Sequence, residues 1–129
     1  MVYFIMNKPT YDMKKLILLL FIPLLSFSQE DIERYKVYDT ENIYTSLLLD
    51  TATGKIWQLQ IGIGKNSDRM RTVLSEEEFV NWEDKKNGRF KLYPTDNTYN
   101  FIMVDVIDGR TWQVQWNIDY DKRLVFRIW

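Results

Sequence analysis

Lys55-Ile-Trp-Gln-Leu-Gln-Ile61 and Arg110-Thr-Trp-Gln-Val-Gln-Trp116 both alternate strictly. In the first, Trp57, Leu59 and Ile61 fall on one face and Ile56, Gln58 and Gln60 on the other; in the second, Trp112, Val114 and Trp116 oppose Thr111, Gln113 and Gln115. A period of two marks a β-strand with one buried face, and the tryptophan face is expected to be the buried one in both copies. The two stretches stand 55 positions apart, and the same displacement lays residues 34–66 on 89–121. Identities fall at Arg34/Arg89, Lys36/Lys91, Tyr38/Tyr93, Thr40/Thr95, Asn42/Asn97, Tyr44/Tyr99, Asp50/Asp105, Gly54/Gly109, Trp57/Trp112, Gln58/Gln113 and Gln60/Gln115. With Ile63/Ile118 the overlay holds twelve identities in thirty-three positions, which makes an internal duplication the organising feature of the chain.

Outward from the alternating stretches, residues 43–49 and 98–104 end in consecutive apolar residues, which suits a central strand covered on both faces near its end. Residues 50–54 and 105–109 read as turns, with an Asp able to accept local backbone amides and a Gly supplying a positive φ. Leading strands are expected at 34–38 and 89–93 and closing strands at 69–74 and 122–128, with Leu124, Phe126 and Ile128 facing inward. The expected fold class is all-β and mostly antiparallel: two related β-meander units of about four strands, residues 34–74 and 89–129, forming a sandwich or a barrel. Each unit has the length of a propeller blade, but two blades alone cannot close a propeller. Between the units, Ser75 is followed by Glu76, Glu77 and Glu78, then Phe79, Trp82, Lys85, Lys86 and Gly88. This reads as a short helix over 75–87, with a capping box at Ser75 and Glu78, a staple from Leu74 to Phe79, and Gly88 as the stop.

Positions 13–29 run Met-Lys-Lys, then an apolar stretch from Leu16 to Leu25 interrupted by Pro23, then Ser26 and Ser28 before Gln29. The pattern is that of a secretory signal peptide cleaved after Ser28, residues 1–28 in all, with translation starting at Met13 and residues 1–12 a spurious extension. An apolar run of this length falls well short of the roughly 20 residues that span a bilayer. The exported chain, residues 29–129, would be one β domain carrying 14 basic and 17 acidic residues, a net charge of −3, in the periplasm or outside the cell. With no stable span left after cleavage and no Cys to carry a lipid, no membrane anchor is expected.

Across the whole chain, seventeen Lys and Arg against eighteen Asp and Glu leave no basic surplus for neutralising phosphates, so a nucleic-acid partner is not expected. The absence of Cys and His removes Cys nucleophiles, Ser/His/Asp triads, zinc fingers and disulfides. No cofactor is expected. The recurring series, Tyr-x-x-x-Asn-x-Tyr, an apolar run, Asp, a Gly turn and Trp-Gln-x-Gln, stands at 38–60 and 93–115. It resembles a group of small, uncharacterised exported proteins of Bacteroidetes-type bacteria, and the resemblance implies export and this β-repeat without bringing an activity. The first copy departs from the second at Ile61-Gly62, where the second has Trp116-Asn117.

Asp50 and Asp105, the repeated turn carboxylates, invite comparison with a glycosidase pair, although their equal spacing to a glycine is explained by turn chemistry alone. Asp119 and Asp121 lack the spacing and glycine of a calcium loop, and Ile61-Gly-Ile-Gly-Lys-Asn lacks the hydroxyl residue of a phosphate loop. The remaining candidates are Gln58, Gln60, Gln113 and Gln115, on the face opposite the tryptophans, with Tyr44 and Tyr99 beside Tyr38 and Tyr93. Such side chains could hydrogen-bond and stack against a sugar or peptide. The function expected is a non-catalytic binding or protein-interaction module of the envelope, with an undetermined glycan, peptide or protein as partner and the oligomeric state open. The alternatives are a carboxylate-only glycan hydrolase and a structural envelope subunit.

Overall fold

Side-chain turns start each sheet. Thr40 Oγ1 accepts a hydrogen bond from the Asn42 amide (3.1 Å) and donates to the Thr45 carbonyl (2.7 Å), while Asn42 Oδ1 accepts from the Tyr44 amide (2.9 Å). Thr95 and Asn97 repeat the device at 3.2, 2.9 and 3.0 Å. These bonds replace backbone pairing where the chain reverses. They fold β1 (Tyr35–Asp39) onto β2 (Thr45–Asp50), and β5 (Phe90–Pro94) onto β6 (Asn100–Asp105). Gly54 (φ +83°) and Gly109 (φ +73°) then sit in the left-handed region and admit the turns into β3 (Ile56–Gln60) and β7 (Thr111–Gln115). β4 (Met70–Ser75) and β8 (Leu124–Ile128) close the units.

The computed structural model describes Tyr3 and residues 31–129; the expected signal segment and start site lie outside the described residues. Ile32–Trp129 form one compact unit. The strands make two antiparallel four-stranded sheets, ordered β1-β2-β3-β4 and β5-β6-β7-β8, packed as a sandwich and not closed into a barrel. Pairing in the first three strands of each sheet follows the 55-residue displacement: Trp57 lies opposite Leu48 and Trp112 opposite Met103. A register shift between Ile56 and Trp57 gives the β3–β4 pair an irregularity that the β7–β8 pair lacks.

The helix expected over 75–87 is not formed; only a 3-10 turn, Trp82–Asp84, occurs there. Its capping box fails because Ser75 Oγ accepts from the Glu77 amide rather than serving Glu78, and Glu78 pairs with Lys85 at 3.0 Å. The Phe79 amide donates to the Thr53 carbonyl (2.9 Å), so the segment is held to the first Gly turn by a bond that helical winding would break. Phe79 packs on Phe90 and Trp112, with ring centroids 6.3 and 4.7 Å away. Tertiary packing therefore overrides a good local helix signal.

The two sheets bury opposite faces. The second sheet packs inward with the tryptophan face, as expected: Phe90, Leu92, Phe101, Met103, Trp112, Val114 and Trp116 are all core. The first sheet turns that face outward and buries the other, which carries Tyr38, Leu47, Leu49, Ile56 and Leu74. Equivalent positions consequently differ: Leu47 is 0% exposed and Ile102 37%, while Leu92 is 4% exposed and Val37 53%. Trp57 stays covered on its outward face by Tyr35 (6.4 Å between centroids) and by Arg71 stacked 4.4 Å from the ring. The expectation of an inward Trp57, Leu59 and Ile61 face is corrected accordingly, and Ile61 is exposed. So is the expectation for β8, where Phe126 and Ile128 face outward and Val125 meets the core. The causes differ: in β3, identical alternation cannot say which face of a sheet meets its neighbour, and here the duplicated sheets stack in the same sense, like stacked plates, instead of face to like face; in β8, pairing sets Val125 opposite the buried Val114 and Phe126 opposite the outward Gln113.

Candidate functional site

The glutamines expected to form a platform are divided between two surfaces. Gln58 is completely buried between the sheets, where its Nε2 donates to the Asn117 carbonyl (3.1 Å) and its Oε1 accepts nothing among the described residues. The same carbonyl accepts from Arg123 Nε (2.8 Å), and Arg123 Nη1 reaches Thr72 Oγ1 across the sandwich (2.8 Å). Gln58 is thus an interior linker, and the idea that it contacts a ligand is corrected. Gln60 is half-buried at the end of the same face, 3.4 Å from Thr45 Oγ1. Gln113 and Gln115 lie on the outer face of the second sheet, donating to Asn100 Oδ1 (2.7 Å) and the Lys122 carbonyl (2.7 Å). Tyr44 and Tyr99 are exposed at the ends of their sheets, and Tyr99 rests on Trp116 with centroids 5.1 Å apart. The six residues do not converge on one concavity.

Asp50 and Asp105 are structural centres. Asp50 accepts from Arg34 Nε and Nη2 (3.2 and 3.0 Å) and from the Ala52 amide (3.0 Å). Asp105 accepts from Arg89 Nε and Nη2 (3.1 and 2.9 Å), Arg110 Nε and Nη2 (3.2 and 2.8 Å) and the amides of Ile107 and Asp108. Burial alone would raise the Asp105 pKa, but these donors outweigh it and hold the carboxyl at about 2. The same opposition leaves Asp50 below the usual carboxylate range. Each pair ties the residue that opens a unit to the turn sixteen positions later. The sequence signal for this pairing is that Arg34/Arg89 and Asp50/Asp105 recur together at one displacement, sixteen positions apart in each copy.

A cleft of about 430 Å³ lies beside Phe79, Arg89, Asp108 and Arg110, and one of about 280 Å³ beside Arg34, Ala52 and Trp82; at the other end of the strands, one of about 220 Å³ lies between the two side-chain turns, where Thr98 Oγ1 donates to Glu41 Oε2 (2.9 Å). In the first, the guanidinium groups are engaged by Asp105 and Asp108. Among the described residues no group of three or more acidic side chains could hold a metal ion, and no helix is long and apolar enough to cross a membrane.

Part of the apolar surface left open lies on the two outer sheet faces; Ile43, Ile63, Trp82 and Tyr120, in turns and loops, are more exposed still. Tyr35 and Val37 are exposed on the first sheet; Tyr93, Ile102, Phe126 and Ile128 are exposed on the second, beside Gln113. Compared with known proteins, the chain matches no family model, no curated protein and no solved structure.

Proposed function

We propose that this chain is an exported, non-catalytic interaction module of the bacterial envelope, engaging its partner through the outer sheet faces. The carrying observation is that large apolar side chains remain exposed on both of these faces. Exposed apolar groups gathered on one face, rimmed by polar residues, fit a binding surface better than a solvent face. Further support comes from the repeated carboxylates, each of which is engaged by arginine at a turn rather than held free to transfer protons. The signal-like series at 13–29 supports export to the periplasm or beyond.

A photo-crosslinking amino acid placed at Ile102 or Val37 in exporting cells tests this. Discrete adducts at these positions, absent when the probe replaces the buried Leu47, are the expected result. Hydrolysis of an envelope glycan by the purified protein, lost on folded Asp50→Asn or Asp105→Asn variants, would overturn it in favour of a hydrolase.

A further inference from the structure

The interface inside the molecule joins unlike faces of like sheets. The first sheet contributes the face of Tyr38, Leu47, Leu49, Ile56 and Gln58; the second contributes the face of Phe90, Leu92, Met103, Trp112 and Val114. Contacts across it include the Tyr38 hydroxyl accepting from the Leu92 amide (3.4 Å) and the Gln58 bond to Asn117. Because the sheets are duplicates, each contact face has a second copy on which no other sheet of the molecule packs. The 55-residue displacement turns the first set into Tyr93, Ile102, Val104, Thr111 and Gln113, which form the outer face of the second sheet. It turns the second set into Tyr35, Val37, Leu48, Trp57 and Leu59, which form the outer face of the first. The molecule therefore presents both halves of its own internal interface, on opposite sides.

We infer that copies of this chain associate head to tail, the outer face of the second sheet in one copy packing on the outer face of the first sheet in the next. The inference rests on the interaction-module reading and names the partner as a second copy. The contact is heterologous, since the two surfaces differ, and such contacts either close into a ring or continue as a filament. Each copy adds two sheets stacked in a constant sense, so two, three or four copies would supply four, six or eight blades, within the range of closed propellers. The outer faces carry Ser46 and Thr111 where the inner interface has Phe101 and Ile56. That makes the contact between copies more polar than the core, the character of an interface that also tolerates water in the free chain.

Light scattering on purified protein over a dilution series, with the variants Val37→Glu and Ile102→Glu, tests this arrangement. Wild type is expected as a multimer of two or more copies, and each variant alone as a monomer. Mixing the two variants should restore one contact, between the intact second sheet of Val37→Glu and the intact first sheet of Ile102→Glu, and give a one-to-one dimer that grows no further. Circular dichroism confirms folding, and Phe126→Glu on the edge strand replaces Ile102→Glu if the latter is unfolded. A wild type that is monomeric throughout overturns self-association, and crosslinks from Ile102 to another envelope molecule would then leave the interaction-module reading standing. Dissociation by Ile102→Glu with Val37→Glu still multimeric overturns it too, because that outcome belongs to a contact between two identical faces.

Discussion

Asp105 shows how a buried charge is made tolerable in this chain: two guanidinium groups and two backbone amides surround a carboxylate with no exposed surface. Removing the charge from such a centre leaves buried Arg89 with only the half-exposed Asp108 to balance it, so Asp105→Asn should cost about 3 kcal/mol in denaturant unfolding. Asp50→Asn should cost less, because Arg34 is half-exposed and water can replace the lost bonds. The pH dependence has a fixed sign. A carboxyl whose folded pKa is depressed to about 2 contributes stability that is complete above its unfolded pKa, about 4, and lost as pH falls through about 2. Acid titration of the unfolding free energy should therefore fall in that window for wild type and fall less steeply there for Asp105→Asn, in which Asp50 remains depressed. Gln58 and Gln113 make a second comparison at equivalent positions. Gln58→Ser should destabilise by about 2 kcal/mol through a cavity and the loss of its bond to the Asn117 carbonyl, while Gln113→Ser should change stability by under about 0.5 kcal/mol.

The turns and strands were legible because their signals are local. Asp followed four positions later by Gly demanded a reversal with positive φ, and both glycines have it. The two sites still differ in surroundings: a Cβ on Gly54 would lie 2.7 Å from Phe79 Cδ2, whereas nothing approaches one on Gly109. Gly109→Ala should cost about 1 kcal/mol from backbone strain alone. Gly54→Ala should cost more, with the excess reduced in a Phe79→Ala background and the remainder due to Phe90, 3.2 Å from the same Cβ; equal losses in the two single variants would refute the Phe79 contact. The segment between the units departs from its sequence signal for the opposite reason. Its capping residues and acid-to-base order favour a helix in isolation, but the Phe79 side chain and the bond from its amide to Thr53 compete, and neither partner is local. A register-dependent feature of the β3–β4 pair, the irregularity between Ile56 and Trp57, likewise leaves no mark in the alternation.

Duplication, strand number and all-β architecture could be read from the chain, whereas the relation between the two sheets could not, because alternation is symmetric under exchange of faces. A trace of the asymmetry does exist where the copies diverge. Phe101 and Trp116 are core where their counterparts Ser46 and Ile61 are not, and Ile56 is core where Thr111 is only half-buried. The same asymmetry divided the expected glutamine platform, placing Gln58 inside and Gln113 outside. It also leaves one unsatisfied copy of each contact face on the surface, from which head-to-tail association follows. The chain contains no cysteine, so single thiols can report each face without background. The deciding measurement is the native-state alkylation rate, in dilute solution, of Val37→Cys against Leu92→Cys and of Ile102→Cys against Leu47→Cys. Thiols at 37 and 102 should react nearly as fast as a free thiol, and those at 92 and 47 at least ~100-fold more slowly, since they need the sandwich to open. Equal rates within each pair, or protection in the reverse order, would contradict stacking of the duplicated sheets through unlike faces.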